Sequence, residues 1–255
     1  MDEDRDSAAS GAGASLPAGR LAGRRILVTG AASGIGLCTA RLFGSEGARL
    51  ILLDRAGDSL ATVAAELGAQ ACAVDVTDEP SVAAAVADGA AALGGIDGVV
   101  NAAGIMIRGM VAEVDAARWR RILEVNLTGT YIVVRACLPW LIQSPGSTIV
   151  TIGSAQGLLP NAPGFTAYAA SKGGVVNLSR ALAAELAPAI RVNCICPGMV
   201  DTPMADGYRA NVGNYALRRL ADPLEIARAI LFLTSAESSY VTGATLAADG
   251  GRSFH

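Results

Sequence analysis

Tyr168 and Lys172 stand four residues apart in "YAASK", inside an alanine-rich stretch with a helical pattern. That spacing stacks a phenol and an ammonium one turn apart on the same helical face. A phenol ionises near pH 10 and is a poor base at neutral pH, but a nearby cation favours its charged form. Such a pair could take the proton from an alcohol while hydride leaves its carbon. Alone, the pair reads more simply as a core-edge tyrosine beside a solvated lysine. Its company changes that. Ser154 ends the apolar run "STIVTIGS", where a hydroxyl could hydrogen-bond a substrate oxygen and steady a developing alkoxide. Asn126 lies within a long helical pattern, where an amide costs helix propensity.

A second constellation is "TGAASGIG" (29–36), which follows the first strand-like run and opens a helix. Gly30 permits a tight turn, Gly34 lets backbone approach a pyrophosphate, and Gly36 allows close packing of helix on strand. Ser33 and Ile35 fill the same turn, and the helix N-terminus offers N–H groups to an anion. Any tight strand–helix turn likes glycine, so context matters. Here the next strand ends in Asp54, about 20 residues on, the spacing expected of an acid that binds adenosine-ribose hydroxyls. A carboxylate there repels a 2′-phosphate and favours NAD over NADP, with Arg55 next to it as the counter-argument.

These residues need a scaffold, and the pattern supplies one. Runs at 25–30, 49–54, 69–76, 96–104, 147–154, 189–198 and 244–251 read as seven strands, mostly apolar on both faces. Helical patterns at 34–46, 58–67, 79–93, 115–142, 166–187 and 223–235 alternate with them. The alternation predicts an α/β fold, a Rossmann-type doubly wound parallel sheet of about seven strands with helices on both faces. Ligands of such sheets bind beyond the carboxyl ends of the strands, where the residues above fall. Residues 1–22 are expected to be a flexible tail, and 23–255 a single catalytic domain binding a dinucleotide.

Composition narrows the field. With 52% hydrophobic residues and a formal net charge of −3, nothing suggests a grip on nucleic acid or a basic membrane patch. No apolar stretch reaches membrane-span length, and "MDEDRDSAASGAG" is acidic where a secretory signal is basic, so a cytoplasmic location is expected. Five cysteines without a CxxC pair suggest reduced thiols, with Cys194 and Cys196 on one strand face in the core. The single histidine, His255, leaves little room for zinc sites or His-dependent hydrolysis, and no Lys-Ser/Thr follows the glycines as a P-loop requires.

Seven motifs in order, "TGAASGIG", "DV" (75–76), "NAAG" (101–104), the Asn of "VNLTG", the Ser of "IGSAQG", "YAASK" and "CPGMVDTP" (196–203), resemble the short-chain dehydrogenase/reductase family. The resemblance spans about residues 23–252. It implies that Asn126, Ser154, Tyr168 and Lys172 form a catalytic tetrad, with Asn126 holding a water that links Lys172 to solvent. It implies that Asp75 holds the adenine amino group with Val76 beside the ring, and that Asn101, Ala102 and Ala103 line the cofactor. Pro197, Gly198 and Val200 would flank the nicotinamide, and Thr202 would hydrogen-bond its carboxamide. It further implies a homotetramer assembled through 115–142 and 166–187, with Trp119 and Trp140 as packing residues.

One departure stands out: fourteen positions separate Ser154 from Tyr168, where family members commonly have about thirteen. The extra residue falls in "LLPNAPGF" (158–165) and is expected to reshape the substrate rim. The segment 199–223 should cover the site. Met106, Gln156, Phe165, Met199, Met204 and Tyr208 are candidate pocket walls, which suggests a small hydrophobic secondary alcohol or ketone. Two alternatives remain: an NADP(H)-dependent ketoreductase, including one acting on acyl thioesters, and a non-catalytic nucleotide-sensing subunit.

Overall fold

The computed structural model describes residues 19–253 except 208 and 211, so Tyr208, His255 and residues 1–18 lie outside the described residues. Seven strands form one parallel sheet in the order β3-β2-β1-β4-β5-β6-β7. They are β1 (Arg25–Thr29), β2 (Arg49–Asp54), β3 (Gln70–Ala73), β4 (Gly98–Asn101), β5 (Ser147–Ile152), β6 (Ile190–Pro197) and β7 (Thr245–Ala248). The chain starts in the middle, builds outward through β3, then returns to add β4 on the other side of β1. That reversal opens a crevice between β1 and β4 at their carboxyl ends.

Helices cover both faces because the central strands are apolar on both. Every residue of β4 and β5 is buried, whereas the edge strand β3 is largely exposed. On one face, α1 (Gly34–Ser45), α2 (Gly57–Leu67) and α8 (Pro223–Thr234) pack Phe43, Leu60 and Ile230 against Val28, Leu52 and Ile195. On the other, α3 (Glu79–Leu93), α5 (Gly129–Leu141) and α7 (Thr166–Leu186) pack Val86, Val133 and Leu182 against Leu27, Val99 and Ile149. Leu21, within the segment read as a tail, is fully buried in the first of these clusters.

The pattern at 115–142 is not one continuous helix. It divides into α4 (Ala116–Leu123), a π-helical turn (Glu124–Thr128) and α5. One-turn π segments insert an extra residue into a helix and recur at functional sites. Here the turn carries Asn126, whose side chain is bonded to backbone outside the helix. Trp140 packs against the core, whereas Trp119 is 37% exposed. Among the described residues, no helix is long and apolar enough to cross a membrane.

Candidate active site

At the crevice the glycine turn joins β1 to α1. Gly30 has φ +66°, and a side-chain carbon there would come within 2.8 Å of the Ala103 nitrogen. At Gly36 the same atom would lie 2.1 Å from the Gly30 carbonyl oxygen, so only glycine lets α1 sit this close to the turn. Ser33 is the N-cap of α1, exposed and extended, and its side chain makes no capping hydrogen bond. The first amides of α1 therefore lack a side-chain acceptor, the condition for receiving an anion. Thr202 faces this turn, with its methyl 3.4 Å from where a Gly34 side chain would begin.

Asp54 ties β2 to the turn: its carboxylate accepts from the amides of Ala32 and Ala56, each at 3.0 Å. Each oxygen keeps a further acceptor position, so the group is oriented without being used up. Asp75 lies at the far corner, where it accepts from the Thr77 amide at 3.0 Å and from Arg121 at 2.9 Å. Partial burial works against its charge, yet the Thr77 amide and hydroxyl and the Arg121 guanidinium bring its carboxyl down to about 2. Arg55 sits 3.8 Å from the same carboxylate. Val76 is buried in the core beside α5, and Asn101 and Ala103 are set into the wall, with the Ala103 amide donating to Thr29. Of the "NAA" residues, Ala102 faces the cavity.

That cavity, of about 580 Å³, brings together Ile35, Ala102, Ser154, Tyr168, Lys172, Pro197, Gly198, Val200 and Thr202. Residues from the first crossover, from "YAASK" and from "CPGMV", far apart in sequence, thus share one space. Ser154 caps the short helix α6 (Ala155–Leu158), accepting from the Gln156 amide at 3.1 Å. Tyr168 and Lys172 lie one turn apart on α7, with the ammonium 5.9 Å from the ring centroid. Lys172 is buried and donates to the Ile152 carbonyl at 2.8 Å, and burial lowers it to about 8.

Helical spacing alone does not make Tyr168 acidic. Burial pushes its hydroxyl above the usual range, and the Ser154 side chain opposes that only in part. Burial outweighs the Ser154 hydrogen bond.

Asn126 is fully buried behind this pair. Its amide nitrogen donates to the Ile105 carbonyl at 2.9 Å and the Ser171 hydroxyl at 3.0 Å, and its oxygen accepts from the Ile105 amide at 2.8 Å. Gly104 leaves the gap between Asn126 and Lys172: a side-chain carbon there would be 3.3 Å from Asn126 Oδ1 and 3.4 Å from Lys172 Nζ. Beneath the site, Cys194 and Cys196 point to one side of β6 with sulfurs 3.9 Å apart, both buried.

Met106, Gln156, Phe165, Met199 and Met204 line the cavity, as their sequence places suggest. So do Arg108, Tyr215 and Arg252, which nothing in their local sequence marks out. The wall is therefore less apolar than expected.

A family model described as enoyl-(acyl carrier protein) reductase matches residues 30–253. The chain belongs to the short-chain dehydrogenase/reductase family. It is 43% identical over 244 residues to galactitol 2-dehydrogenase (L-tagatose-forming) of Cereibacter sphaeroides, covering 91% of this chain and 96% of that protein. It is 38% identical over 243 residues to the 3-oxoacyl-acyl-carrier-protein reductase FabG of Thermotoga maritima, covering 91% and 98%. The crystal structure of a 3-ketoacyl-acyl-carrier-protein reductase from Brucella melitensis complexed with NADH superposes with a TM-score of 0.87 at 34% identity, covering 92% and 100%. The short-chain dehydrogenase fold and the nicotinamide site thus come with this chain's family.

Proposed function

We propose that this chain is an NAD-dependent oxidoreductase interconverting a secondary alcohol and a ketone, with Tyr168 as general acid and base. The observation carrying this reading is that Ser154, Tyr168 and Lys172 line the same cavity as Ile35, Val200 and Thr202 from the glycine-turn side. A nicotinamide dinucleotide, when bound, supplies the hydride acceptor or donor. The protein's residues supply the rest. Glycine-turn amides and the α1 N-terminus would hold the pyrophosphate, Asp54 the adenosine ribose and Thr202 the carboxamide, with Pro197, Gly198 and Val200 as the residues that would flank the ring.

In the oxidising direction Tyr168, as phenolate, takes the substrate's hydroxyl proton while Ser154 hydrogen-bonds the same oxygen. Lys172 keeps positive charge beside the phenol, and Asn126 holds the backbone around Ile105 and Ser171 that frames it. Because burial raises Tyr168 here, a further positive charge would be needed to favour its ionised form, and an oxidised nicotinamide ring, when bound, would supply one.

Asp54 supports NAD, since a carboxylate fixed at that point opposes a 2′-phosphate. The rival reading, an NADP(H)-dependent ketoreductase, draws on Arg55 and Arg121 clustered at Asp75, where two guanidiniums could accommodate a phosphate. Fluorescence titration with NADH and NADPH separates them, and tighter NADPH binding would overturn the Asp54 argument. We also propose a homotetramer working in the cytoplasm, a compartment suited to five unpaired cysteines.

Tyr168→Phe tests the chemistry. Turnover of secondary alcohols should fall by about 10²–10⁴-fold or more while NADH affinity stays nearly unchanged. A fully active variant would require another base.

A further inference from the structure

The cavity carries charge that alcohol chemistry does not use. Three basic side chains, Arg108, Lys172 and Arg252, are among its described lining residues, and no aspartate or glutamate is. This occurs in a chain with a formal net charge of −3. Lys172 belongs to the reacting centre, and Arg108 lies over the Phe165 ring at 4.3 Å.

Arg252 differs from both. It is 5% exposed and makes no ion pair among the described residues. The nearest acid in sequence, Asp249, is occupied by backbone: it accepts from the amides of Gly251, Arg252 and Ser253 at 3.0, 3.2 and 2.9 Å. The guanidinium instead meets neutral groups, the Asn161 side-chain oxygen and the Tyr215 ring at 5.7 Å. A guanidinium has five N–H donors, and those left over by the Asn161 and Tyr215 side chains could serve a ligand. Burying a cation is costly unless an anion pairs with it, and among the described residues no carboxylate makes an ion pair with this guanidinium, so a ligand anion would offset that cost.

Gln156 Oε1, in the same lining, is buried with no hydrogen-bond partner; an amide oxygen accepts, so it calls for a donor such as the substrate's hydroxyl and not for an anion. Asn161, which holds the guanidinium, sits in the loop 158–165 between Ser154 and Tyr168. That loop thus holds a cation at the substrate wall.

We propose that the substrate bears a carboxylate as well as the reacting hydroxyl or keto group, and that Arg252 binds that carboxylate. A planar guanidinium matches a carboxylate through two parallel hydrogen bonds, which makes Arg252 a specificity determinant for hydroxy and oxo acids. This rests on the reading of the site as an alcohol–ketone oxidoreductase.

The test compares 3-hydroxycyclohexanecarboxylate with its methyl ester as substrates of the full chain. Wild type should favour the acid in kcat/KM by about 30-fold, the scale of a charge-assisted hydrogen-bond pair. Arg252→Gln should erase that preference and leave the ester within about threefold of wild type, while Arg252→Lys restores part of it. Equal use of acid and ester by wild type, or equal losses for both in Arg252→Gln, would overturn the carboxylate assignment and leave the tyrosine chemistry standing. If neither compound turns over, calorimetry with cyclohexanecarboxylate and cyclohexanecarboxamide decides. Carboxylate-selective binding that survives Tyr168→Phe and disappears in Arg252→Gln supports the site even though the oxidoreductase reading fails. Absence of selectivity overturns it.

Discussion

Lys172 is 5% exposed and holds its ammonium 2.8 Å from the Ile152 carbonyl, and among the described residues no carboxylate pairs with it. Its amine titrates near 10.5 in the unfolded chain and at about 8 when folded. Between these values the unfolded chain binds more protons, so stability rises with pH across that window and the full cost applies below it. Lys172→Met should therefore stabilise the protein by roughly 1–3 kcal/mol near neutral pH, with the gain fading toward pH 10.5, in urea unfolding at several pH values. A constant gain at all pH values would mean that the ammonium's burial is not its source. The same position is the one whose loss should harm catalysis, so stability and activity pull apart there. Tyr168 and Lys172 are readable from spacing. The sign of the tyrosine's shift is not, because it depends on how dry the wall is.

Two elements do most of the positioning, the glycine turn into α1 and the π turn between α4 and α5. At the first, Gly36→Ala would drive a carbon into the Gly30 carbonyl oxygen, 2.1 Å away, and α1 would have to move. The variant should lose roughly 1–3 kcal/mol in chemical denaturation and bind NADH at least tenfold more weakly, since the α1 N-terminus shifts with the helix. Gly213→Ala, where no atom lies within 4 Å, is the control and should change neither. The glycine turn is legible because each glycine answers a local constraint. The π turn is not. A helical pattern covers 115–142 without interruption, and within the π turn Asn126 bonds to Ile105 and Ser171, 21 and 45 positions away, partners that no local pattern reveals.

At the scale of the molecule, the sheet divides most apolar side chains into two large clusters, one against each face, with a small third one around Cys194 and Cys196, and the alternating pattern anticipates the two large ones. The face formed by α4 and α5 is another matter. Trp119, Tyr131 and Ile142 are 37%, 48% and 58% exposed there, large apolar groups that association between copies would cover. If the proposed homotetramer forms through this face, light scattering should give about four times the 25.7 kDa chain. Tyr131→Glu should then lower that mass while circular dichroism stays unchanged. A monomer of wild-type protein would contradict the assembly.

What the sequence by itself determined was whatever rests on short-range regularity: strand and helix order, the parallel sheet, the glycine turn, Asp54 at the end of β2 and the one-turn spacing of Tyr168 and Lys172. Periodicity and turn chemistry are local, and local physics is written in neighbouring residues. What only the tertiary structure decided was the character of the cavity wall. Arg108, Asn161 and Tyr215 come from three connections and Arg252 from the segment after β7, and they meet only when the sheet is complete. Burial and the lack of an ion-pair partner are properties of that enclosed volume, and no stretch of chain has them alone.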